Sequence, residues 1–144
     1  MLFSNKENNS YESNRLMHTI KDGTLIDFEK TKYIFTRDYA SQKTYFISNH
    51  GFYEPKSCCF IIENKNDIVI DGHGCEISTV GMMIPFVLDG CKNITIKNLS
   101  ITFENPLMVQ AEIISSGKDF AELRIFGADR CISENGSMFF ENIS

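Results

Sequence analysis

From residue 24 onward the apolar residues of this chain fall in short runs with no helical rhythm. Leu25, Ile26 and Phe28 form the first run and Tyr33-Ile34-Phe35 the second. Tyr45-Phe46-Ile47, Cys58 to Ile62, Ile68-Val69-Ile70, Phe86-Val87-Leu88, Ile94-Thr95-Ile96 and Leu99 to Phe103 follow. Each is rich in β-branched or aromatic residues and is bounded by Gly, Asn, Asp, Lys or Pro, which predicts a succession of short strands. Upstream, Arg15 to Lys21 predicts one or two helical turns stopped by Gly23. Residues 1–14 are polar, rich in Asn, Ser and Glu, and predict a loose arm.

An internal repeat organises the middle of the chain. Glu63-Asn-Lys-Asn-Asp-Ile-Val-Ile-Asp-Gly72 matches Asp89-Gly-Cys-Lys-Asn-Ile-Thr-Ile-Lys-Asn98, so that Ile68 aligns with Ile94, Ile70 with Ile96, and Cys75 with Ile101. A fixed spacing in the range of about 20–50 residues is a mark of stacked repeats. A unit with several short strands and no helix fits one coil of a parallel β-helix, in which equivalent residues lie above one another at about 4.8 Å. Ile68 over Ile94 and Ile70 over Ile96 would then build aliphatic stacks inside, and Asp71-Gly72 and Lys97-Asn98 would turn the corners. A β-sandwich whose strands happen to look alike is the competing architecture.

The pattern changes near Val109. Ala111 to Ile114 and Phe120 to Ile125, joined across Gly117, predict a β-hairpin, and Asn135-Gly136 predicts a further turn before Met138-Phe139-Phe140. The expected organisation is therefore an N-terminal arm and short helix over 1–22, parallel coils over 23–108, and an antiparallel β segment over 109–144. Ser144 follows closely on a strand-like run, so the last segment is expected to be truncated.

Composition narrows the function classes. Hydrophobic residues make up 42% of the 144 and charged residues 23%, which is ordinary for a folded domain. A net charge of −5 without a Lys/Arg cluster argues against a nucleic-acid partner. No apolar run approaches the ~20 residues that span a bilayer, so no membrane partner is expected. The first residues contain no apolar signal-peptide core. The five cysteines (Cys58, Cys59, Cys75, Cys91 and Cys131) form no CxxC pair and read as small apolar side chains, not a disulfide framework.

Several segments, taken in order, resemble the N-terminal region of glycoside hydrolase family 110, the bacterial α-1,3-galactosidases. These are Phe28-Glu-Lys-Thr-Lys-Tyr-Ile-Phe35, Tyr45-Phe-Ile-Ser-Asn-His50, Ile70-Asp-Gly-His-Gly74, Gly81-Met-Met-Ile-Pro-Phe86, Asn98 to Pro106 followed by Gln110, and Glu134-Asn-Gly136. The Ile-Asp-Gly-x-Gly corner recurs in many β-helix enzymes, whereas Ile-Ser-Asn-His and Met-x-Pro-Phe at this spacing are more selective. Two positions depart from the family pattern: Thr31 stands where a turn glycine is favoured, and Gly51 where an Asp is usual.

The resemblance implies an all-β, right-handed parallel β-helix acting on galactose-terminated glycans by inverting hydrolysis. It also implies no cofactor and, in a family whose members are usually exported, leaves the compartment open. Inversion needs a carboxylic acid and a carboxylate about 6.5–9.5 Å apart. The family's catalytic pair is expected on later coils, so this chain is expected to be an inactive N-terminal fragment. A non-catalytic β-helix module that binds glycan or protein is the alternative. Self-association through an uncapped β-helix edge is expected in either case.

Residue by residue, Asp67 and Asp89 read as turn caps, Asp71 reads as a corner residue, and the role of Glu104 before Asn105-Pro106 stays open. Asp71, His73 and Cys75 alternate as metal ligands would on a regular strand, but Gly72 and Gly74 favour a turn, and no metal site is expected. Asn49 and His50 are the substrate-binding candidates, because they end a strand beside the aromatic loop Gly51-Phe52-Tyr53. The plainer reading makes Asn49 a turn cap and His50 a structural residue.

Overall fold

β6 (Val69–Thr79) is the strand around which the first part of the chain is assembled, because it is paired on both edges. The computed structural model describes residues 1–45, 54–104, 110–127, 130–135 and 137–141. They divide into two compact units, Met1–Glu104 and Asn105–Ser144.

In the first unit the elements run β1 (Leu2–Phe3), α1 (Asn9–Met17), β2 (Leu25–Phe28), β3 (Lys32–Phe35), β4 (Ser41–Thr44), β5 (Pro55–Glu63), β6, β7 (Ile84–Asp89) and β8 (Thr95–Phe103). One sheet is wholly parallel. β1 lies on β2; β2 and β3 together flank one edge of β6; β8 flanks the other edge along its length. The second sheet places β5 between antiparallel β4 and parallel β7. The expected 26-residue spacing appears in both sheets: Ile70 pairs with Ile96 in one, and Phe60 pairs with Phe86 and Ile62 with Leu88 in the other. An isolated parallel bridge, Asn66 to Lys92, keeps the same offset between them.

Three expectations are corrected. Cys75 pairs with Leu99 and not with Ile101, because Gly72-His73-Gly74 stands opposite the single residue Asn98 and the register shifts by two. Pairing is not uniformly parallel, since β4 (Ser41–Thr44) runs antiparallel to β5; Phe46 and Ile47 of the expected Tyr45–Ile47 run lie outside the described residues. Residues 1–14 are not loose. Phe3 is buried, and the helix starts at Asn9, where the Asn8 side chain accepts the Tyr11 N–H at 2.9 Å. The turn at Thr31 does not need the left-handed backbone a glycine would supply, because Thr31 keeps negative φ and its N–H reaches the Glu29 carbonyl at 2.8 Å.

The polar N-terminal segment closes an edge. The Asp27 N–H donates to the Met1 carbonyl at 2.9 Å, and the Met1 ammonium donates to the Leu25 carbonyl at 2.7 Å. Beyond β2, the alternate carbonyls of Lys32, Ile34 and Thr36 accept from Asn5 Nδ2 at 3.3 Å, Asn9 Nδ2 at 3.0 Å and Ser10 Oγ at 2.6 Å. Asn9, Ser10 and Ser13 are buried for this reason, although the helix reads as polar. Buried polar groups need partners, and here a strand edge and a helix face satisfy each other.

The core is aromatic. Phe3, Phe28, Tyr33, Phe35, Phe60 and Phe86 pack ring against ring, with centroids between 4.9 Å for Phe3–Phe28 and 6.4 Å for Phe3–Phe35. Tyr33 is fully buried, donating to the Phe3 carbonyl at 2.8 Å while its oxygen accepts the Glu29 N–H at 2.9 Å. Ile26, Ile62, Ile68, Ile70, Cys75 and Ile77 complete it. Cys58, Cys59 and Cys75 are buried free thiols, and burial pushes Cys59 up to about 12, so it stays protonated and inert.

The second unit holds two antiparallel pairs. β9 (Gln110–Ser116) pairs with β10 (Ala121–Phe126), as the expected hairpin requires, and the Gly117 N–H meets the Phe120 carbonyl at 2.9 Å. β11 (Arg130–Glu134) pairs with β12 (Ser137–Glu141), with Asn135 at φ 51 in the turn.

Phe60 touches four other rings at the centre of the core. Phe60→Ala is expected to lower the unfolding free energy by about 3–5 kcal/mol, measured by urea denaturation. A loss below 1 kcal/mol would mean the ring cluster is not what holds the two sheets together.

Candidate functional site

Polar chemistry in the first unit collects on the outer face of the parallel sheet, where β6 is interrupted. Ile70 points inward and Asp71 outward, after which Gly72-His73-Gly74 bulges away before Cys75 returns to the core. A Cβ on Gly72 would lie 2.5 Å from both the Asn98 carbonyl oxygen and Leu99 Cβ, so only glycine fits that close approach. His73 at φ 48 and Gly74 at φ 87 take left-handed backbone, as does Asn98 at φ 57 on the neighbouring strand. Bulges of this kind redirect a side chain, and this one turns His73 back over β2.

Asp27, Asp71 and Lys97 form one row across β2, β6 and β8. Asp71 Oδ1 accepts from Asn98 Nδ2 at 2.9 Å and from the His73 N–H at 3.1 Å, and Oδ2 meets Lys97 Nζ at 3.0 Å. The Asn98 amide, then the His73 N–H and the Lys97 ammonium, hold the Asp71 carboxyl well below the usual carboxylate range. His73 Nε2 lies 3.0 Å from Asp27 Oδ1, and its Nδ1 lies 3.8 Å from Asp71 Oδ1.

A second row lies alongside. Lys32 Nζ sits 3.2 Å from Glu76 and 2.8 Å from Glu104. Thr102 Oγ1 donates to Glu76 at 2.8 Å, and Ser78 Oγ donates to Glu104 at 2.5 Å. Glu76 is lowered first by Thr102 and then by Lys32, Glu104 first by Lys32 and then by Ser78, and Lys32 is correspondingly raised. Asp22 is lowered by the Asn66 side chain and N–H, which it accepts at 3.0 Å each. Among the described residues, every carboxylate displaced from its ordinary value is displaced toward the anion. These groups are suited to hold strands and corners, and poorly suited to deliver a proton.

The carboxylates singled out from the sequence separate by role. Asp67, at φ 58, accepts from Asn93 Nδ2 at 2.6 Å and links two equivalent turns. The Asp89 carbonyl accepts the Asn64 N–H at 2.8 Å. Glu104 belongs to the Lys32 cluster. Asp71 and His73 stand outside and Cys75 inside, so the three do not share a face; among the described residues no group of three or more His, Cys, Asp or Glu is placed to hold a metal. Asn49 and His50 lie outside the described residues.

One feature escaped the sequence. A groove of about 420 Å³ runs between α1 and β4–β5, with Met17, Ile20 and Ile61 among its apolar lining and Asn14, His18 and Gln42 among its polar lining. These residues come from separate segments, and no linear pattern joins them. Among the described residues, no helix is long and apolar enough to cross a membrane.

No family model matches the chain. Curated relatives do. Alpha-1,3-galactosidase B of Bacteroides thetaiotaomicron is 38% identical over 103 residues, covering 72% of this chain and 17% of the relative. Alpha-1,3-galactosidase B of Phocaeicola vulgatus is 34% identical over 121 residues, covering 83% of this chain and 20% of the relative. Alpha-1,3-galactosidase A of Bacteroides thetaiotaomicron is 30% identical over 105 residues, covering 69% and 18%. The chain thus spans no more than a fifth of these relatives' length.

The Asp71 contacts set a pH dependence. A carboxyl held low in the folded state stabilises fully above its ordinary pKa of about 3.9 and loses that contribution as pH falls toward the folded value. Below about pH 4, the stability of the unaltered chain should therefore fall more steeply than that of Asp71→Asn, read from urea midpoints across a pH series. Parallel slopes would show that the Asp71 contacts carry no proton linkage.

Proposed function

Over the stretch it shares with them, this chain belongs to the alpha-1,3-galactosidase family, and from that we propose that it supplies scaffold coils to a glycoside hydrolase that removes terminal α-1,3-linked galactose with inversion. In this reading residues 23–108 form the first coils of a right-handed parallel β-helix, and 109–144 form a separate antiparallel segment. The shared 26-residue register of β5–β7 and β6–β8 supports it. A galactose-terminated glycan is the substrate of the whole assembly, and the chain alone does not hydrolyse it. Self-association through the free edge of β8 is part of the same proposal.

One observation carries the scaffold role. Inverting hydrolysis needs a carboxyl that keeps its proton until the leaving oxygen takes it. Asp22, Asp71, Glu76 and Glu104 are all held as anions by amide, hydroxyl and ammonium donors. The groove between α1 and β4–β5 favours the second reading, a module that binds glycan without cleaving it, since its mixed polar and apolar lining suits a sugar ring.

The test is release of galactose from an α-1,3-linked galactose disaccharide by the purified chain. No release above the buffer blank is expected. Turnover that persists through purification would overturn the scaffold role, and its loss in Asp71→Asn would put the machinery on the β6 bulge.

A further inference from the structure

We propose that the groove between α1 and β4–β5 binds a short chain of neutral pyranose sugars, with one sugar ring seated on the exposed pair Tyr11 and Tyr39. This rests on the second reading above, a module that holds glycan without cleaving it, and not on the scaffold role.

Tyr39 is a residue for which the fold alone gives no reason. It stands third in the turn Arg37–Ala40, which is closed by the Ala40 N–H on the Arg37 carbonyl at 3.3 Å, and its φ is 59. That place suits glycine or asparagine, and a bulky side chain there is disfavoured. Burial does not compensate, since Tyr39 is 70% exposed. Its ring instead meets that of Tyr11, itself 55% exposed on α1, edge to face with centroids 6.2 Å apart and planes at 86°. Neither ring belongs to the buried core. Two tyrosines are thus held together at the surface, and open aromatic faces suit the C–H face of a pyranose.

The pair continues the groove. On α1, Tyr11, Asn14 and the C-cap His18 follow at helical spacing and form one stripe. Asn14 and His18 line the groove, and Tyr11 stands one turn before Asn14. The other wall keeps the same order, with Tyr39 two residues before Ser41 and then the lining residues Gln42 and Lys43. Both walls therefore reach the aromatic pair at the same end.

The chemistry of the lining favours an uncharged, hydroxyl-rich ligand. Among the described residues, the side chains of Asn14, His18, Ser41 and Gln42 make no hydrogen bond. Together they offer amide, imidazole and hydroxyl groups that both donate and accept, as sugar hydroxyls require. The charged groups are already opposed: Lys43 pairs with Glu63, and Lys65 helps, after Asn66, to hold the Asp22 carboxyl low. Met17, Ile20 and Ile61 add apolar surface, and the volume of about 420 Å³ is that of a small-ligand site.

Nitrogen–proton NMR titration of the full chain tests this, with maltotetraose, cellotetraose and xylotetraose as neutral probes and tetragalacturonate as the charged one. At least one neutral probe should give saturable shifts, half complete at about 1–10 mM and strongest at residues 11–18 and 39–43. Tyr39→Gly removes the ring and suits the turn, so its urea midpoint should not fall while affinity drops about tenfold. Tyr11→Ala, on an exposed helix face, should give a similar loss, and Tyr39→Phe, which keeps the ring, should restore binding. No saturable shift with any neutral probe, shifts strongest elsewhere, tetragalacturonate bound more tightly than every neutral probe, or unchanged affinity in both ring-deleted chains would each overturn the proposal. Release of galactose by the chain bears on the scaffold role alone, so the two readings fail separately.

Discussion

A strand edge must find partners for its N–H and C=O groups, and most of the first unit can be understood as ways of meeting that demand. β6 meets it with strands on both sides. On one side two short strands share the work, β2 against Val69–Asp71 and β3 against Glu76–Thr79, with a turn between them where β6 itself bulges. On the other side β8 runs past both halves, two residues shorter because Asn98 alone stands opposite Gly72-His73-Gly74. The inward residues Ile70, Cys75 and Ile77 keep their places in the core because the discrepancy is confined to the corner.

The electrostatics follow from the same layout. Side chains on the outer face of a parallel ladder stand in rows, and each of these rows joins two carboxylates to one lysine: Asp27, Asp71 and Lys97 in one, Lys32 and Glu76 with Glu104 in the other. Such contacts at a solvent-facing surface add little stability one by one. Their effect is on register, since each carboxylate is satisfied only when its strand neighbours are correctly aligned. The Asp67–Asn93 contact does the same for two left-handed turns, at φ 58 and φ 54, that would otherwise be free to slip.

Much of this was legible in the sequence where the residues themselves repeat. The Ile68/Ile70 and Ile94/Ile96 pattern foretold the parallel pairing and its spacing, because periodic burial leaves a periodic trace. The extension to Cys75 and Ile101 failed because a bulge consumes residues without leaving an apolar mark. The N-terminal segment was misread for a different reason. Asn and Ser are the residues of loose chain and also the residues that bond edge carbonyls, and composition cannot tell the two apart until the edge is present. At the candidate site, the turn roles of Asp67 and Asp71 could be read from their neighbours. The approach of His73 to Asp27 could not, since it joins residues far apart in the chain through the bulge.

The bulge at Gly72-His73-Gly74 also says where a chain of this kind can change length. On a face, one added or lost residue would turn every later side chain from inside to outside. At a corner the same change alters only the path between faces, and β6 and β8 already differ there by two residues while their flanking segments remain in register. Tolerance for insertion and deletion is therefore concentrated at residues 72–74 and 98, and the segments on either side are held to a fixed count. Relatedness between tiers should be sought by aligning faces and leaving the corners free, since a comparison that forbids gaps at the corners would lose the likeness at the point where the structure sets it aside.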